Sequence, residues 1–390
     1  MKDTMMSAPR QYVLIADDEE AITEALSCTL ERDGRTVILC SDLDAAELAL
    51  AQYPITHLVT DVQFSGEFGY EGLHVLRQIR AQAPDCRIVV MTGCATDSLR
   101  DTAISHGASA VLAKPFDTDD LEKALCASTA HDGATGEYET IRVPSIDEIM
   151  CGNALTIAFQ PIVRLDANAA QVIAYEALTR VRGQGLAGGP EMLFAYAERR
   201  GKLAELNLLT MVNAIDDAAA LPADASIFIN LDPLTFSHSK LIPYLYGAAI
   251  RSGIALSRIV LEVTERSCFT DVRTEVFDEL RSSGVRFALD DHGSAYSHLA
   301  RIQQIRPAFF KISNTFGTAF ELDETKERIV RHTLSLARDF GCETILEGIE
   351  TSATARAAAA AGVRLAQGFF FSRARAASHW SGSNAALQAA

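Results

Sequence analysis

The stretch RFALDDHGSAYSHL, residues 286–299, decides how the second half of the chain is interpreted. Its apolar start is typical of a buried strand, and the strand ends on two adjacent aspartates, Asp290 and Asp291. Paired carboxylates at a strand end indicate a metal site, because hard divalent cations prefer oxygen ligands. Whether the chain builds that site depends on the side chains at the ends of its other strands.

Length and composition are those of a folded protein with more than one domain. The chain has 390 residues, of which 48% are hydrophobic and 22% charged, and these values predict two or three globular domains. The formal net charge of -16 argues against binding to nucleic acid polymers or to anionic membranes, which need basic patches. A small anionic ligand remains compatible, because metal ions reverse the field inside a cleft.

The eight cysteines and the N-terminus indicate a reducing compartment. No two cysteines form a CxxC pair, so we expect free thiols and no zinc knuckle. The sequence starts without a signal-peptide pattern and has no run of about 18 apolar residues. We therefore expect a cytoplasmic protein without a membrane partner.

Strand-like and helical segments alternate along the first third of the chain. The strand-like runs are YVLIAD, TVILC, HLVTD, RIVVMTG and AVLAKP. This alternation predicts an α/β domain over residues 1–130, with a doubly wound five-stranded parallel sheet. The small and polar composition that follows predicts a linker over residues 131–145.

Residues 146–390 predict a second, larger α/β domain. Eight strand-like runs alternate with helical stretches: TIAFQPIV, VIAYEALTRV, SIFINL, IVLEVTE, RFALDD, FFKIS, ETILEGI and LAQGFFFS. Eight strands in about 240 residues predict a TIM-like β/α barrel. The link RLDANAAQ between the first two strands is too short for a crossover helix, so the first strand is expected to be antiparallel.

Polar side chains converge at the strand ends of the first domain, where ligands of open α/β sheets bind. They are Asp17, Asp18, Asp61, Thr92 and Lys114. Taken singly, each has an ordinary structural explanation as a helix cap or a turn. Together, three carboxylates repel one another unless a cation intervenes, and Mg²⁺ suits oxygen ligands. An aspartate beside Mg²⁺ and a lysine could then accept a phosphoryl group.

The motifs VLIADDE, LVTD, VVMTG and LAKPF resemble the receiver domain of two-component response regulators, over about residues 10–128. The resemblance implies that Asp61 is the phosphoacceptor for a sensor histidine kinase. It also implies that Asp17 and Asp18 hold one Mg²⁺ and that Thr92 and Lys114 contact the phosphoryl group. The loop QFSGEFGYEGL after Asp61 is longer than is usual in that family, so phosphorylation kinetics could differ.

The strand ends of the predicted barrel carry a second polar set, at the face where barrel active sites lie. The set is Glu176, Asn230, Glu262, Asp290, Asp291, Lys311, Glu347 and Gln367. A single member could be a turn, a cap or a snorkelling side chain, but five carboxylates in one mouth require cations. Oxygen ligands favour Mg²⁺ or Mn²⁺ over zinc. Two ions about 3.5–4 Å apart would suit in-line displacement at phosphorus.

The segment YEALTR, residues 175–180, carries the Glu-Ala-Leu signature of the EAL domain. FINL, LEVTE, ALDDHG, FFKIS, LEGIET and AQGFFFS resemble the other motifs of that family, in order, over about residues 146–385. The resemblance implies a metal-dependent phosphodiesterase that hydrolyses cyclic di-GMP to linear pGpG, with two Mg²⁺ or Mn²⁺ ions.

The same resemblance implies roles for individual residues. One ion would be held by Glu176, Asn230, Glu262 and Asp290, and the other by Asp290 and Asp291. Glu347 is either a further ligand or the general base, Lys311 positions the attacking water, and Gln367 supports the site. The positions that resemble nucleotide-contacting residues are Gln160, Leu178 and Arg180, of which Arg180 suits a phosphate.

The opening stretch is also where the chain departs from the family. His292 stands where the family usually has a phenylalanine. Three roles are open for it: a substitute in packing, a pH-sensitive contact or an additional ligand. Ala295 replaces a glycine, which matters if that position needs a positive φ. Glu265, which resembles the glutamate that anchors this loop, is retained. The retained ligand set favours activity, and the altered loop predicts a change in rate or regulation.

Three functions remain open from the sequence. The chain is a phosphorylation-controlled phosphodiesterase, a receptor that binds cyclic di-GMP without cleaving it, or an interaction scaffold. Retention of Glu176, Asp290 and Lys311 favours the enzyme. We also expect a homodimer or larger assembly through the barrel, with the linker or the loop after Asp291 carrying the signal.

Overall fold

The computed structural model describes residues 10–30, 34–62, 76, 79–80, 83–93, 96–125, 139–152, 154–165, 170–182, 189–264, 274–292 and 299–381. The chain forms two compact units, and the division does not follow the chain order. The first unit is Met1–Ala154 with Val181–Arg200, and the second is Leu155–Arg180 with Gly201–Ala390. A segment from the middle of the chain therefore packs with the N-terminal unit.

The first unit is built on a parallel sheet. In the described part of this unit the sheet has six strands, in the order β5-β4-β3-β1-β2-β6. The strands are β1 Gln11–Ala16, β2 Arg35–Cys40, β3 His57–Asp61, β4 Arg87–Thr92, β5 Ala110–Ala113 and β6 Glu139–Val143. The central β1 pairs in parallel with β2 on one side and β3 on the other. The predicted doubly wound parallel sheet is confirmed, with one strand more than the sequence suggested.

The additional strand, β6, falls inside the segment predicted as a linker. It pairs in parallel with β2, and its Ile141 and Val143 are buried. The sequence did not predict this strand, because the small and polar residues before Glu139 dominate the composition of residues 131–145. The alternating apolar residues of ETIRV were nevertheless a strand signal. Residues 139–143 are therefore part of the sheet of the first unit.

The first unit also contains helices, of which the first four along the chain contact the strands of this sheet. The helices that the structure describes in this unit are α1 Glu20–Leu30, α2 Leu43–Gln52, α3 Asp97–Ser105, α4 Thr118–Leu125, α5 Ile146–Cys151 and α6 Gly189–Arg199. Asp42 caps α2 by accepting a hydrogen bond from the Ala45 backbone N–H at 2.7 Å. Ser145 and Glu148 form a reciprocal capping box at the start of α5, which satisfies backbone donors that a helix N-terminus leaves free.

The second unit is a closed eight-stranded barrel. Its strands are β7 Leu155–Leu165, β8 Ala170–Val181, β9 Ser226–Asn230, β10 Ile259–Thr264, β11 Arg286–His292, β12 Phe309–Ile312, β13 Glu343–Leu346 and β14 Leu365–Ala366. β7 pairs antiparallel with β14, whereas β8 with β9 and each pair from β9 to β14 are parallel. The predicted TIM-like barrel with an antiparallel first strand is confirmed.

Helices cover the outside of the barrel. They are α7 Leu203–Asp217, α8 Leu241–Ser252, α9 Thr274–Ser282, α10 Leu299–Ile305, α11 Asn314–Gly317, α12 Glu324–Asp339 and α13 Ser352–Ala361. Short 3-10 helices lie at Ala218–Ala220, Pro233–Ser237, Leu256–Arg258, Phe320–Leu322 and Ala377–Trp380. Among the helices that the structure describes, none combines the length and the apolarity needed to cross a membrane.

An apolar layer fills the inside of the barrel. Every strand contributes one buried residue to it: Ile162, Ala174, Phe228, Val260, Ala288, Phe309, Ile345 and Leu365. The Phe228 and Phe309 rings meet across the layer at 5.1 Å between centroids. The barrel is thus a packed core rather than a pore, and a ligand can enter only above or below this layer.

Candidate phosphoacceptor pocket and candidate active site

The first unit brings together three of the polar residues predicted at its strand ends. The Lys114 ammonium lies 2.7 Å from Asp17 Oδ2 and 2.7 Å from Asp61 Oδ2. Asp17 is fully buried, and Thr92, at the end of β4, is also buried. Asp18 follows β1 and is exposed. The ion pairs show that strand ends β1, β3 and β5 meet in one acidic pocket.

The pocket is short of positive charge. Burial raises the pKa of the Asp17 carboxyl, and the hydrogen bond from Lys114 offsets only part of that effect. Burial alone would lower the pKa of Lys114, but its hydrogen bonds to Asp17 and Asp61 outweigh burial and raise it. Lys114 therefore stays protonated, and a divalent cation would stabilise the carboxylates further.

In the barrel, a simple alternation positions the second site. Side chains two residues apart on a strand point to the same face. The polar residues lie two positions beyond the apolar interior layer: Glu176, Asn230, Glu262, Asp290, Lys311, Glu347 and Gln367. On the antiparallel β7 the equivalent residue, Gln160, lies two positions before Ile162. Glu347 and Gln367 come directly after β13 and β14.

Lys311 is the centre of this site. Its ammonium lies 2.8 Å from Glu262 Oε2, 2.8 Å from Glu347 Oε1, 3.3 Å from Glu176 Oε1 and 3.6 Å from Asp290 Oδ1. The side chain is only 1% exposed. Four strands thus direct carboxylates at one buried ammonium.

Glu176 is held by amides as well as by Lys311. Gln367 Nε2 donates to Glu176 Oε2 at 2.6 Å, and Asn230 Nδ2 donates to Glu176 Oε1 at 3.0 Å. Gln367 Nε2 also donates to Gln160 Oε1 at 3.1 Å. Gln160 is fixed in turn, since its Nε2 donates to the Ser372 carbonyl. These contacts orient Glu176 and link β7, β8, β9 and the residue after β14.

One ammonium does not neutralise four carboxylates. Burial raises the pKa of Glu262 well above its usual value, and burial raises that of Glu347 to about 7. Burial would do the same to Glu176, but the charge of Lys311 and the two amide hydrogen bonds lower the pKa of Glu176 instead. Burial opposes the charge on Lys311, yet the surrounding carboxylates raise its pKa well above the usual value. The site therefore has a deficit of positive charge.

The polar rim opens into a cleft of about 300 Å³. The predicted residues that line it are Gln160, Glu176, Leu178, Asn230, Asp290, Lys311, Glu347 and Gln367. The cleft is also lined by residues that the sequence reading did not select: Asn314, Thr318, Gly348, Glu350, Gly368 and Phe369. Gly348 and Gly368 directly follow the predicted Glu347 and Gln367, and Asn314 comes three residues after Lys311. Position along the chain, rather than residue type, was therefore the signal for these three.

Some predicted residues are not brought into this cleft. Arg180 is exposed and donates to the carbonyl of its neighbour Thr179 at 2.8 Å; it is not among the residues that line the cleft. Asp291 and His292 belong to β11, whose pairing with β12 shifts register between Leu289 and His292, and their side chains lie outside what the structure describes. Glu265 and Ala295 also lie outside the described residues.

The donor chemistry of the rim fits divalent metal ions. The candidate metal ligands are all carboxylate or amide oxygens. Two oxygens of the rim, Glu262 Oε1 and Gln367 Oε1, are buried without a hydrogen-bond partner. Buried acceptors without a partner are costly, and cations would satisfy them. Within the described residues, no three His, Cys, Asp or Glu side chains are close enough together to hold an ion as they stand. The Lys311 ammonium lies among the carboxylates.

Comparison with protein-family models gives two matches. The EAL domain model matches residues 147–374, more than half of the chain. The chain belongs to the EAL domain family. The response regulator receiver domain model matches residues 13–126, so a receiver domain precedes the EAL domain. The EAL domain contains the barrel rim, and the receiver domain contains the acidic pocket.

Individual relatives of the EAL domain include proteins named as phosphodiesterases. The probable cyclic di-GMP phosphodiesterases PdeN and PdeD of Escherichia coli are 30% and 27% identical to the chain, over 56% and 55% of it. These matches span only 43% and 40% of those proteins' own length.

Solved structures show the same barrel with a dinucleotide bound. The PaMucR phosphodiesterase in complex with c-di-GMP covers 59% of this chain and 96% of its own, with 25% identity and a TM-score of 0.53. The Klebsiella pneumoniae BlrP1 complex with calcium and cyclic di-GMP covers 69% of this chain and 74% of its own, with 25% identity and a TM-score of 0.52.

Proposed function

We propose that the EAL domain hydrolyses cyclic di-GMP to linear pGpG with two divalent metal ions, under the control of receiver phosphorylation. The observation that carries the proposal is the rim itself. Four carboxylates face one buried ammonium, while Glu262 Oε1 and Gln367 Oε1 have no partner. Such a deficit of positive charge suits cations and a phosphodiester, which brings its own negative charge to them.

The metal ligands proposed are oxygen donors of the rim: Glu176, Asn230, Glu262, Asp290 and Asp291. Mg²⁺ or Mn²⁺ bound there would supply an activated water and neutralise charge on the phosphoryl oxygens. Asn230 and Gln367 hold the Glu176 carboxylate in a fixed orientation. This orientation reduces the rearrangement that ion binding requires.

The remaining residues act on water and on substrate. The Lys311 ammonium donates to the attacking water and orients it. Glu347, whose pKa burial raises to about 7, accepts the proton of that water, because a base works best when its pKa is near the working pH. Leu178 and Gln160 line the cleft beside the nucleotide. Arg180 pairs with a phosphate once the nucleotide is bound.

The receiver domain supplies the control. Asp61 accepts a phosphoryl group from a sensor histidine kinase, with Asp17 and Asp18 holding one Mg²⁺ and Thr92 and Lys114 contacting the group. The ion pair between Lys114 and Asp61 supports this assignment. We place the protein in the cytoplasm, where cyclic di-GMP and the kinase meet it, and propose that it forms a homodimer or larger assembly.

The test is product formation by the full chain. Purified protein is incubated with cyclic di-GMP and Mg²⁺ or Mn²⁺, and pGpG is measured by chromatography. Glu176→Gln is expected to lower turnover roughly a hundredfold or more, since it removes an oriented charge from the reaction centre. Glu343→Gln is the matched control, because Glu343 lies at the opposite end of β13.

The outcomes separate the candidate functions. Wild-type protein that forms no pGpG with either metal ion would refute the phosphodiesterase. Tight binding of intact cyclic di-GMP under the same conditions would then identify a receptor.

A further inference from the structure

Helix α6 lies in an unexpected place. By sequence, Gly189–Arg199 belongs to the EAL domain, because the family match spans residues 147–374. In the fold, Val181–Arg200 is part of the first unit, with the receiver sheet. Leu193, Tyr196 and Ala197 of α6 are buried there. The chain therefore leaves the barrel after β8, packs a helix in the first unit and returns to the barrel at α7.

Polar contacts fasten α6 to helix α2 of the receiver domain. The Tyr196 hydroxyl donates to Asp42 Oδ2 at 3.0 Å, and Arg200 Nη1 lies 3.1 Å from Asp44 Oδ2. Arg199 forms an ion pair with Glu47. Burial and the neighbouring Asp42 carboxylate raise the pKa of Tyr196, so the phenol stays protonated and donates. Basic side chains of α6 thus meet the acidic face of α2.

The buried contact differs in kind from the two ion pairs. Tyr196 is 2% exposed, and its partner Asp42 also caps α2 through the Ala45 N–H. Exposed ion pairs such as Arg200 with Asp44 contribute little on their own. A buried hydrogen bond to a charged group is stronger and is costly to leave unmade. The hydrogen bond from Tyr196 is therefore the strongest of these polar contacts between α6 and α2.

Asp42 lies close to the phosphoacceptor pocket along the chain. It comes two residues after Cys40, whose carbonyl accepts a hydrogen bond from the backbone N–H of Asp17. Asp17 also pairs with Lys114, as Asp61 does. A short series of contacts thus joins the pocket to the start of α2.

A second contact holds the other chain segment that leads to the barrel. Arg142 of β6 lies 2.9 Å from Glu20 at the start of α1 and 2.9 Å from Glu148 of α5. The Glu19 N–H beside Glu20 donates to Asp17 Oδ1. Arg142 therefore links the segment before β7 to the start of α1, near Asp17, whereas α6 links the segment after β8 to α2.

We propose that the contact of α6 with α2, centred on the hydrogen bond from Tyr196 to Asp42, transmits the phosphorylation state of the receiver to the catalytic cleft. The route is covalent beyond α6, because this helix follows β8, which carries Glu176 and Leu178. A phosphoryl group changes the charge in the pocket and shifts α2. The contacts that hold α6 therefore differ between the phosphorylated and the unphosphorylated receiver. The proposal names the regulation of the proposed active site, and its catalytic readout rests on that function.

The first experiment compares wild type with Tyr196→Phe in the full chain. Activity on cyclic di-GMP is measured with Mg²⁺, with and without beryllofluoride, which mimics a phosphoryl group on aspartate. In the wild type we expect a change of about fivefold or more, in the range typical of coupled sites. Tyr196→Phe is expected to bring the ratio close to one. Tyr244→Phe is the matched control, because Tyr244 lies exposed on α8 and should keep the wild-type ratio.

A charge exchange tests the same contact without touching Tyr196. Arg200→Asp places a further carboxylate beside Asp42 and Asp44, and this repulsion is expected to weaken the response to beryllofluoride. Adding Asp44→Arg removes the repulsion and is expected to restore the response. Arg251→Asp with Asp216→Arg, which exchanges an ion pair of similar length in the barrel, should leave the response unchanged. If adding Asp44→Arg to Arg200→Asp does not restore the response, although the single and the double variant are both folded, the result counts against the proposal.

A second readout does not depend on catalysis. Hydrogen exchange of α6 amides is measured with and without beryllofluoride in wild type and in Tyr196→Phe. A change in the wild type that the variant loses supports the proposal even if no pGpG is formed, in which case the proposed function alone fails. Unchanged exchange in a wild type that binds beryllofluoride, or a Tyr196→Phe enzyme that keeps its full response, would overturn the coupling.

Discussion

At the scale of single residues, Lys311 explains why the rim can exist without metal ions. Its ammonium contacts Glu176, Glu262, Asp290 and Glu347 within 3.6 Å. Without it, four carboxylates would face one another in a buried mouth. Lys311 therefore stabilises the metal-free fold as well as serving the proposed reaction.

Lys311→Met is expected to destabilise the metal-free protein by about 3–5 kcal/mol, the usual result of removing one partner from a buried ion pair. Thermal unfolding in a chelator measures the loss. Mg²⁺ should raise the melting temperature of this variant more than that of wild type, because the ions replace the missing charge. Lys240→Met, at an exposed position, is the control. Equal melting of Lys311→Met and wild type in chelator would contradict the argument.

Gly317 holds the backbone of Glu347 at a distance that no larger residue permits. A Cβ at residue 317 would lie 1.6 Å from the Glu347 carbonyl oxygen. We expect Gly317→Ala to lower stability by about 1–3 kcal/mol. It should also reduce kcat on cyclic di-GMP more than it raises KM, since Glu347 is displaced.

Gly247→Ala provides the comparison for this prediction. Its Cβ would meet only Arg251 Nη1, at 3.9 Å, in the interior of α8. Alanine there should stabilise by about 0.5–1 kcal/mol. Denaturant unfolding gives the free energy of unfolding of both variants, and steady-state kinetics give their kcat and KM. If Gly317→Ala matches Gly247→Ala in these values, the close-contact argument is refuted.

Most of the rim was predictable from sequence because it depends on two local rules. Strand ends of a parallel barrel share one mouth, and alternate residues share one face, so Glu262 could be placed inside from Val260. Contacts between distant segments were not predictable. Nothing in the sequence around Gln367 indicates that its side chain donates to Glu176. Nothing in the sequence around Arg180 indicates that it contacts its neighbour's carbonyl instead of lining the cleft.

At the scale of elements, β6 shows where composition misleads. Its five residues complete the edge of the receiver sheet beside β2, although the preceding residues are typical of a linker. Helix α6 shows a different limit. Periodicity predicts a helix with one apolar face, but it does not say which element that face packs against.

The strand β6 is expected to matter for stability. Ile141 is 7% exposed in the sheet, so Ile141→Asp would bury a carboxylate without a partner and cost roughly 2–4 kcal/mol. Hydrogen exchange of β2 amides should rise in the variant, because β2 becomes an edge strand. Ile250→Asp places the same group at a residue that is 82% exposed, and little change is expected. Wild-type protection of β2 in Ile141→Asp would show that β6 contributes nothing to the sheet.

At the scale of the whole molecule, each unit has its own core and one of them has a built-in reporter. The only tryptophan in the chain, Trp380, is fully buried in the barrel unit, and its Nε1 donates to the Phe159 carbonyl at 3.1 Å. Its fluorescence therefore follows the barrel, whereas far-ultraviolet circular dichroism follows both units. Comparing the two signals shows which unit unfolds first.

Acid is expected to act on the first unit through His57. Burial, helped by Arg35 and Arg87, lowers the pKa of this histidine to about 4, so the folded protein keeps it neutral while the unfolded chain takes up a proton below about pH 6.5. The stability linked to His57 is therefore present above pH 6.5 and is lost as the pH falls towards 4. His57→Gln removes this dependence. Between pH 7 and pH 5, the melting temperature measured by circular dichroism should fall further in wild type than in the variant. The difference should be roughly 2–4 °C for each kcal/mol of unfolding free energy that is lost.

The tryptophan signal makes this prediction specific to one unit. His57 is in β3 of the receiver sheet and Trp380 is in the barrel unit, so the difference between wild type and His57→Gln should be seen in dichroism and not in fluorescence. If the substitution shifts both signals equally, the units unfold as one body, and loss of the receiver fold at low pH would also remove the barrel. If it shifts neither, His57 is not held neutral by its surroundings, and the charges of Arg35 and Arg87 do not affect its protonation.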